Sequence, residues 1–317
     1  MFKIIGFIIL PITSLLVFGY AFDGNIKTNG YSWLFFFQLI LLIGLLYGIN
    51  QERKKEIDKK LSINSALDYN NFLAVFAGAF VTFTFNNYLG MGSVVAAGLV
   101  GTIAAIMIPK FGVPLYCGAF VGMASCVLFT SYLYLAIASI VAGIVFVLTK
   151  NVFNGFGGKL GTIALTGCIL ASVFSGKKYL ASGPIPTWET SKYIVLFSVI
   201  AAVLTYLISI RLKHGAVFGS GVVGLLAGLI MPYLFPKIGS SLAVMMICAS
   251  FAGMSTPTRI PNEIFVAISG LLSAFFFIYS TSCFGGTGGK LGTIAFISVI
   301  IIRGFLDMID YFKSKKG

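Results

Sequence analysis

The amino-acid sequence predicts an all-α polytopic membrane protein of about 12 transmembrane segments, built as a 5+5 inverted repeat behind an N-terminal helical hairpin. Three observations predict it. The composition is too apolar for water. Apolar runs long enough to cross a bilayer follow one another along the chain. The second half of the chain also repeats the first.

Of 317 residues, 58% are hydrophobic and 10% are charged, against roughly 25% charged in an ordinary soluble domain. Mean hydropathy is +0.99. A water-soluble fold has too little interior to hide that much apolar surface. A disordered chain is polar and poor in aromatics, so disorder is excluded as well. The predicted solvent is lipid. The formal charge of +13 fits basic loops that orient a membrane protein. No basic stretch interleaved with aromatics is long enough to suggest nucleic acid as a partner. Cys117, Cys126, Cys168, Cys248 and Cys283 form no CxxC pair and no metal-ligand spacing, so they read as small packing residues. No cofactor is implied.

Apolar runs fall at about 3–21, 32–49, 70–88, 90–108, 113–131, 132–149, 159–176, 192–210, 216–235, 240–257, 263–281 and 291–308. Each is near the ~20 residues that a helix needs to cross hydrocarbon. Residues 1–22 have some features of a signal peptide, with Lys3 before an apolar run and Gly19-Tyr20-Ala21 after it. That run, about 18 residues, exceeds the usual 7–15, which favours a retained helix. Placing the 51–69 loop in the cytoplasm puts 15 Lys and Arg residues inside and 6 outside. This bias predicts cytoplasmic termini and a plasma (inner) membrane location.

The duplication is the most informative feature. Gly157-Gly158-Lys159-Leu160-Gly161-Thr162-Ile163-Ala164 recurs letter for letter as Gly288 to Ala295. Gly122-Met123-Ala124-Ser125 matches Gly253-Met254-Ser255-Thr256, and Pro109-Lys110-Phe111-Gly112 matches Pro236-Lys237-Ile238-Gly239. The predicted division is a hairpin (1–50), a basic cytoplasmic linker (51–69), repeat 1 (70–176), an outer loop (177–191), repeat 2 (192–308) and a cytoplasmic tail (309–317). Five spans per repeat is an odd number, so the second copy must enter the membrane from the opposite side.

An inverted pair presents the same surface to both sides of a membrane, which suits a solute path between the halves. The expected function is therefore transport of a small anionic or polar solute, by a channel, facilitator or secondary transporter. Two alternatives stand beside it: a facilitator for a neutral polar solute, and a structural subunit of a membrane complex. A homo-oligomer stays open, and the lipid bilayer is the expected surrounding. The candidate solute-binding residues are Gly157, Gly158, Lys159, Gly161, Thr162, Gly288, Gly289, Lys290, Gly292, Thr293, Ser125, Ser255 and Thr256. Paired glycines let the backbone approach closely, and a helix N-terminus beside an ammonium favours an anion. A lysine at a helix N-terminus is electrostatically misplaced unless something negative offsets it. The alternative for Lys159 and Lys290 is an interfacial anchor that snorkels to water. The hydroxyls have their own alternative, a bond back to their own helix.

None of the nine acids lies clearly at the centre of a span, whereas proton-coupled pumps usually carry membrane Asp, Glu or His. His214, the single histidine, sits in a short loop. No His-Glu-x-x-His, Gly-x-Ser-x-Gly or P-loop pattern is present, so no enzyme is expected. Arg303 is the one charge well inside a run, with Asp307 four residues on to pair with it.

Overall fold

The computed structural model describes residues 2–57, 65–180 and 185–315. Among these the protein is all-helical, with twelve α-helices and no strand. They are α1 (Phe2–Asn29), α2 (Trp33–Ile57), α3 (Ser65–Asn87), α4 (Ser93–Met107), α5 (Gly112–Gly122), α6 (Tyr132–Leu148), α7 (Lys159–Ser175), α8 (Trp188–Tyr206), α9 (Ala216–Leu234), α10 (Gly239–Gly253), α11 (Glu263–Tyr279) and α12 (Lys290–Ser314). Part of the predicted basic linker, 58–64, lies outside the described residues, as do Pro184 and Lys316.

Among the described residues, five helices are long and apolar enough to cross a membrane: Ile5–Asn29, Trp33–Lys55, Trp188–Arg211, Ala216–Leu234 and Lys290–Ser314. Large apolar side chains such as Ile12, Ile43, Phe174 and Leu229 face outward, as lipid contact requires and water would penalise. These features mark an integral membrane protein.

One predicted segment is not a single helix. The run over 113–131 is helical only as α5, which has 11 residues, or about 16 Å at 1.5 Å per residue. That is roughly half a hydrocarbon core. The helix stops because its last carbonyls find other donors. Asn86 Nδ2 donates to the carbonyls of Gly122, Met123 and Ala124 at 3.4, 3.3 and 3.2 Å. Asn87 Nδ2 donates to Ala124 O at 3.0 Å, and its Oδ1 accepts from Cys126 N at 2.9 Å. Irregular backbone at membrane depth is tolerated only where protein satisfies it. Two asparagines at the end of α3 do so here.

The helix packing repeats with the sequence. In the first copy α3 packs on α4, α5 and α6, α4 on α5, and α6 on α7. In the second, α8 packs on α9, α10 and α11, α9 on α10, and α11 on α12. The broadest contacts between the copies are α4 with α9 and α7 with α12, each joining a helix to its own counterpart, and α4 also touches α10 and α5 touches α9. The N-terminal pair is no loose appendage. α1 packs on α6, α7, α11 and α12, and α2 lies along α12. Gly44 and Gly48 of α2 meet Gly304 of α12 backbone to backbone, the close approach that small residues allow in lipid.

Charged side chains tie the hairpin down. Glu52 of α2, 2% exposed, takes Arg259 in a bidentate pair at 2.7 and 2.6 Å. Lys55 bonds both oxygens of Asp307 at 3.1 Å. Arg303 pairs with Asp307 on the same helix face, as its spacing predicts.

Candidate solute-binding cavities

The repeated octapeptide opens a helix in both copies. Gly158 and Gly289 precede α7 and α12 with φ of 82° and 84°, a conformation that favours glycine. Their positions also leave no room for a side chain. A Cβ on Gly158 would strike Gly292 O and Phe296 N, and one on Gly289 would strike Gly161 O and Leu165 N. Gly161 and Gly292 face one another directly, each nearest the other's Cα. The first turns of α7 and α12 therefore cross at two glycines.

Just upstream, Phe153 and Phe284 occupy the left-handed region, with φ of 52° and 49°. A bulky residue there is strained and persists only where its surroundings over-determine it. Phe153 is wedged among Phe7, Phe156 and Phe296. Phe284 is held edge-on by Tyr20 and Tyr179. The same strain recurs at equivalent positions of the two Gly-rich loops.

The two lysines find their negative partner inside the protein. Lys159 Nζ donates to Thr149 O at 2.6 Å, and Lys290 Nζ donates to Ser280 O at 2.6 Å. Thr149 and Ser280 are the C-caps of α6 and α11. Each ammonium thus sits at the negative end of the preceding helix, which offsets the positive end of its own. Lys159 also donates to Asn154 Oδ1 at 3.1 Å, and Lys290 to Thr281 O and Cys283 O at 3.3 and 2.8 Å.

Each Gly-rich loop packs against a helix of the other copy. Gly157 lies on Phe251 O and Ala252 O of α10, while Gly288 lies on Phe120 O and Val121 O of α5. Thr256 N donates to Gly155 O and Ser125 N to Gly286 O, both at 2.9 Å. Ser255 Oγ accepts from Gly157 N at 3.1 Å and donates to Ala252 O at 2.7 Å.

Two cavities flank this crossing. The first, about 540 Å³, is lined by Lys110, Lys150 and Lys159 and by the rings of Phe120, Phe146 and Phe251. The second, about 510 Å³, is lined by Asn86, Asn87, Ser125, Ser241, Thr287 and Lys290. They lie at opposite ends of the same helices. Asn71, early in α3, lines the first, and Asn86 and Asn87, at its end, line the second. α5 starts at the first cavity with Val113 and ends towards the second with Met123. α10 runs the other way, from Ser241 and Val244 at the second to Phe251 and Met254 at the first.

An aromatic layer lies on these helices, and two of its rings, Phe120 and Phe251, line the first cavity. Phe120 packs on Phe251 with centroids 4.5 Å apart, and Tyr116 packs on Phe120 at 4.4 Å. All three are buried. Tyr116 OH adjoins Ser220 Oγ at 2.9 Å, Ser220 adjoins Ser250 Oγ at 2.8 Å, and Ser250 donates to Ile247 O at 2.7 Å. The hydroxyls are thus satisfied among themselves.

Of the predicted site residues, Gly157, Gly158 and Lys159 line the first cavity, and Ser125, Gly289 and Lys290 the second. Gly161, Gly292 and Gly288 are packing contacts. Thr162 and Thr293 are fully buried, and Thr293 Oγ1 bonds back to Gly289 O at 3.3 Å. Ser255 fastens the loop, and Thr256 Oγ1 adjoins Thr258 Oγ1 at 2.9 Å. Sequence reasoning passed over Asn71, Asn86, Asn87, Lys150 and Asn154. The paired asparagines closing an otherwise apolar run were the available signal. Compared with protein-family models, characterised proteins and solved structures, the chain matches none.

Proposed function

We propose that the protein moves a small anionic or polar solute across a membrane, along a route joining the two cavities. The observation that carries this reading is their placement at opposite ends of α3, α5 and α10. The copies are then inverted repeats of five spans, 70–176 and 192–308, with the hairpin 1–50 outside the duplication. The opposite running of α5 and α10 between the cavities supports the inversion. The first cavity is cytoplasmic, since it gathers Lys110 and Lys150 on the side that basic residues favour. The membrane is the plasma (inner) membrane, with both termini in the cytoplasm.

A single-cysteine pair tests the inversion. In a background without native cysteines, Asn154→Cys and Thr287→Cys should react with a membrane-impermeant thiol reagent from opposite sides. Labelling of both from one side would refute the route.

Flux from proteoliposomes tests the function. Lys159→Ala and Lys290→Ala should each lower it, because the loop loses its tie to the preceding helix end. Each change leaves carbonyls short of a charged donor, at about 1.5–3 kcal/mol per bond. Unchanged flux in the double variant would remove the lysines from the path. Flux should also proceed without a solute-dependent pH change in the lumen, since no membrane-central acid was found to relay protons. A solute-driven pH change abolished by a protonophore would overturn the uncoupled reading.

A further inference from the structure

The two cavities occupy equivalent places and differ in chemistry. At three pairs of equivalent positions the first has Lys150, Asn154 and Phe156 where the second has Thr281, Gly285 and Thr287. The second therefore carries one charged side chain among the described residues, Lys290. An ammonium has three protons to donate, and this one meets three carbonyls, Ser280 O at 2.6 Å, Cys283 O at 2.8 Å and Thr281 O at 3.3 Å. The charge is engaged by the protein itself. What the cavity still offers is neutral. Ser93, Ser241 and Thr281 line it with hydroxyls that bond nothing among the described residues. Asn86 commits its amide nitrogen to three carbonyls, and its Oδ1, on the cavity lining, accepts no bond among the described residues. The rings of Phe277 and Phe284 complete the lining with apolar surface.

We infer that the second cavity binds a small uncharged polyol, its hydroxyls against Asn86, Ser93, Ser241 and Thr281 and its C–H faces against the two rings. A hydroxyl both donates and accepts, so three open hydroxyls and one amide oxygen are matched by a molecule whose own groups do both. A carboxylate only accepts, and it would leave Asn86 Oδ1 without a donor. An ammonium only donates, and no acidic side chain lines the cavity among the described residues. Either ion would lose its water without gaining a counter-charge. The volume of about 510 Å³ is in the range of small-molecule sites. The polyol's identity as the transported solute rests on the proposed transport function; its binding does not.

The test is a saturation-transfer NMR titration of the full chain in nanodiscs of zwitterionic lipid, with xylitol as probe. Xylitol should bind at least about tenfold more tightly than pentanediol hydroxylated only at its ends, which has the same carbon chain without the inner hydroxyls. Xylonate, the same chain ending in a carboxylate, should also bind at least about tenfold more weakly than xylitol. Ser93→Ala, Ser241→Ala and Thr281→Val together should weaken xylitol about tenfold. Those hydroxyls fasten nothing among the described residues, so the triple variant should keep its fold. Ser240→Ala, beside Ser241 but lining neither cavity, should leave binding unchanged. Equal binding of the pentanediol or of xylonate overturns the inference without any variant. Full xylitol affinity in the folded triple variant overturns it as well. Binding in the expected pattern with no xylitol flux in proteoliposomes upholds the site and refutes the transport reading. Flux of another solute with no xylitol binding refutes the site and leaves transport standing.

Discussion

Glu52→Gln should destabilise the folded protein by about 3–5 kcal/mol, because it strands a guanidinium only 15% exposed without its counter-charge. The pair is bidentate, and Glu52 is 2% exposed. Arg259 has two further contacts on the first cavity's loop. Its Nε donates to Asn154 O at 2.8 Å, and its guanidinium lies 4.7 Å from the Phe156 ring centroid. The hairpin therefore holds that loop in place through one arginine. Thermal unfolding in detergent micelles measures the effect. Replacing both partners, as Glu52→Gln with Arg259→Gln, should recover part of the loss, since no lone charge then remains. A Glu52→Gln protein that unfolds with the wild type would show that the pair contributes nothing.

Phe251→Ala should breach the aromatic layer and raise solute leak on the order of tenfold, a barrier change of about 1.4 kcal/mol. The ring packs on Phe120 and, at 6.2 Å, on Tyr116. Its removal also costs stability, about 3–5 kcal/mol for a buried phenylalanine. Proteoliposome efflux and unfolding temperature are therefore read together. A folded Phe251→Ala protein with wild-type efflux would place the barrier elsewhere. Phe276→Ala, also buried but on α11 against Phe18, should lower stability without adding leak.

Much of the fold was legible because apolar length and exact repetition are properties of the chain itself. The identity of Gly157–Ala164 with Gly288–Ala295 anticipated a shared backbone at α7 and α12, and both begin at the repeated lysine. The break at Gly122 was not legible. Hydropathy counts side chains, while the break is decided by the carbonyls that Asn86 and Asn87 satisfy from another helix. The lysines were half-legible. Their spacing revealed a misplaced charge, and the offsetting group was sought in a solute, an acid or water. It is the main chain of α6 and α11, which no composition or motif displays. The cavities depend on contacts between distant elements, so the sequence pointed to them only through Gly157, Gly158 and Lys159 at the first and Gly289, Lys290 and Ser125 at the second.

The crosswise fastening of the loops has a consequence for synthesis. Ser125 donates its N–H to Gly286, and α5 is packed from outside by Gly288. A nascent chain that has delivered only its first half has not yet made either residue. Its inserted helices must wait with that donor unmet until translation is nearly finished. Final closure is thus a late event in biogenesis, and a ribosome stalled before residue 286 should carry a protease-sensitive, half-assembled bundle.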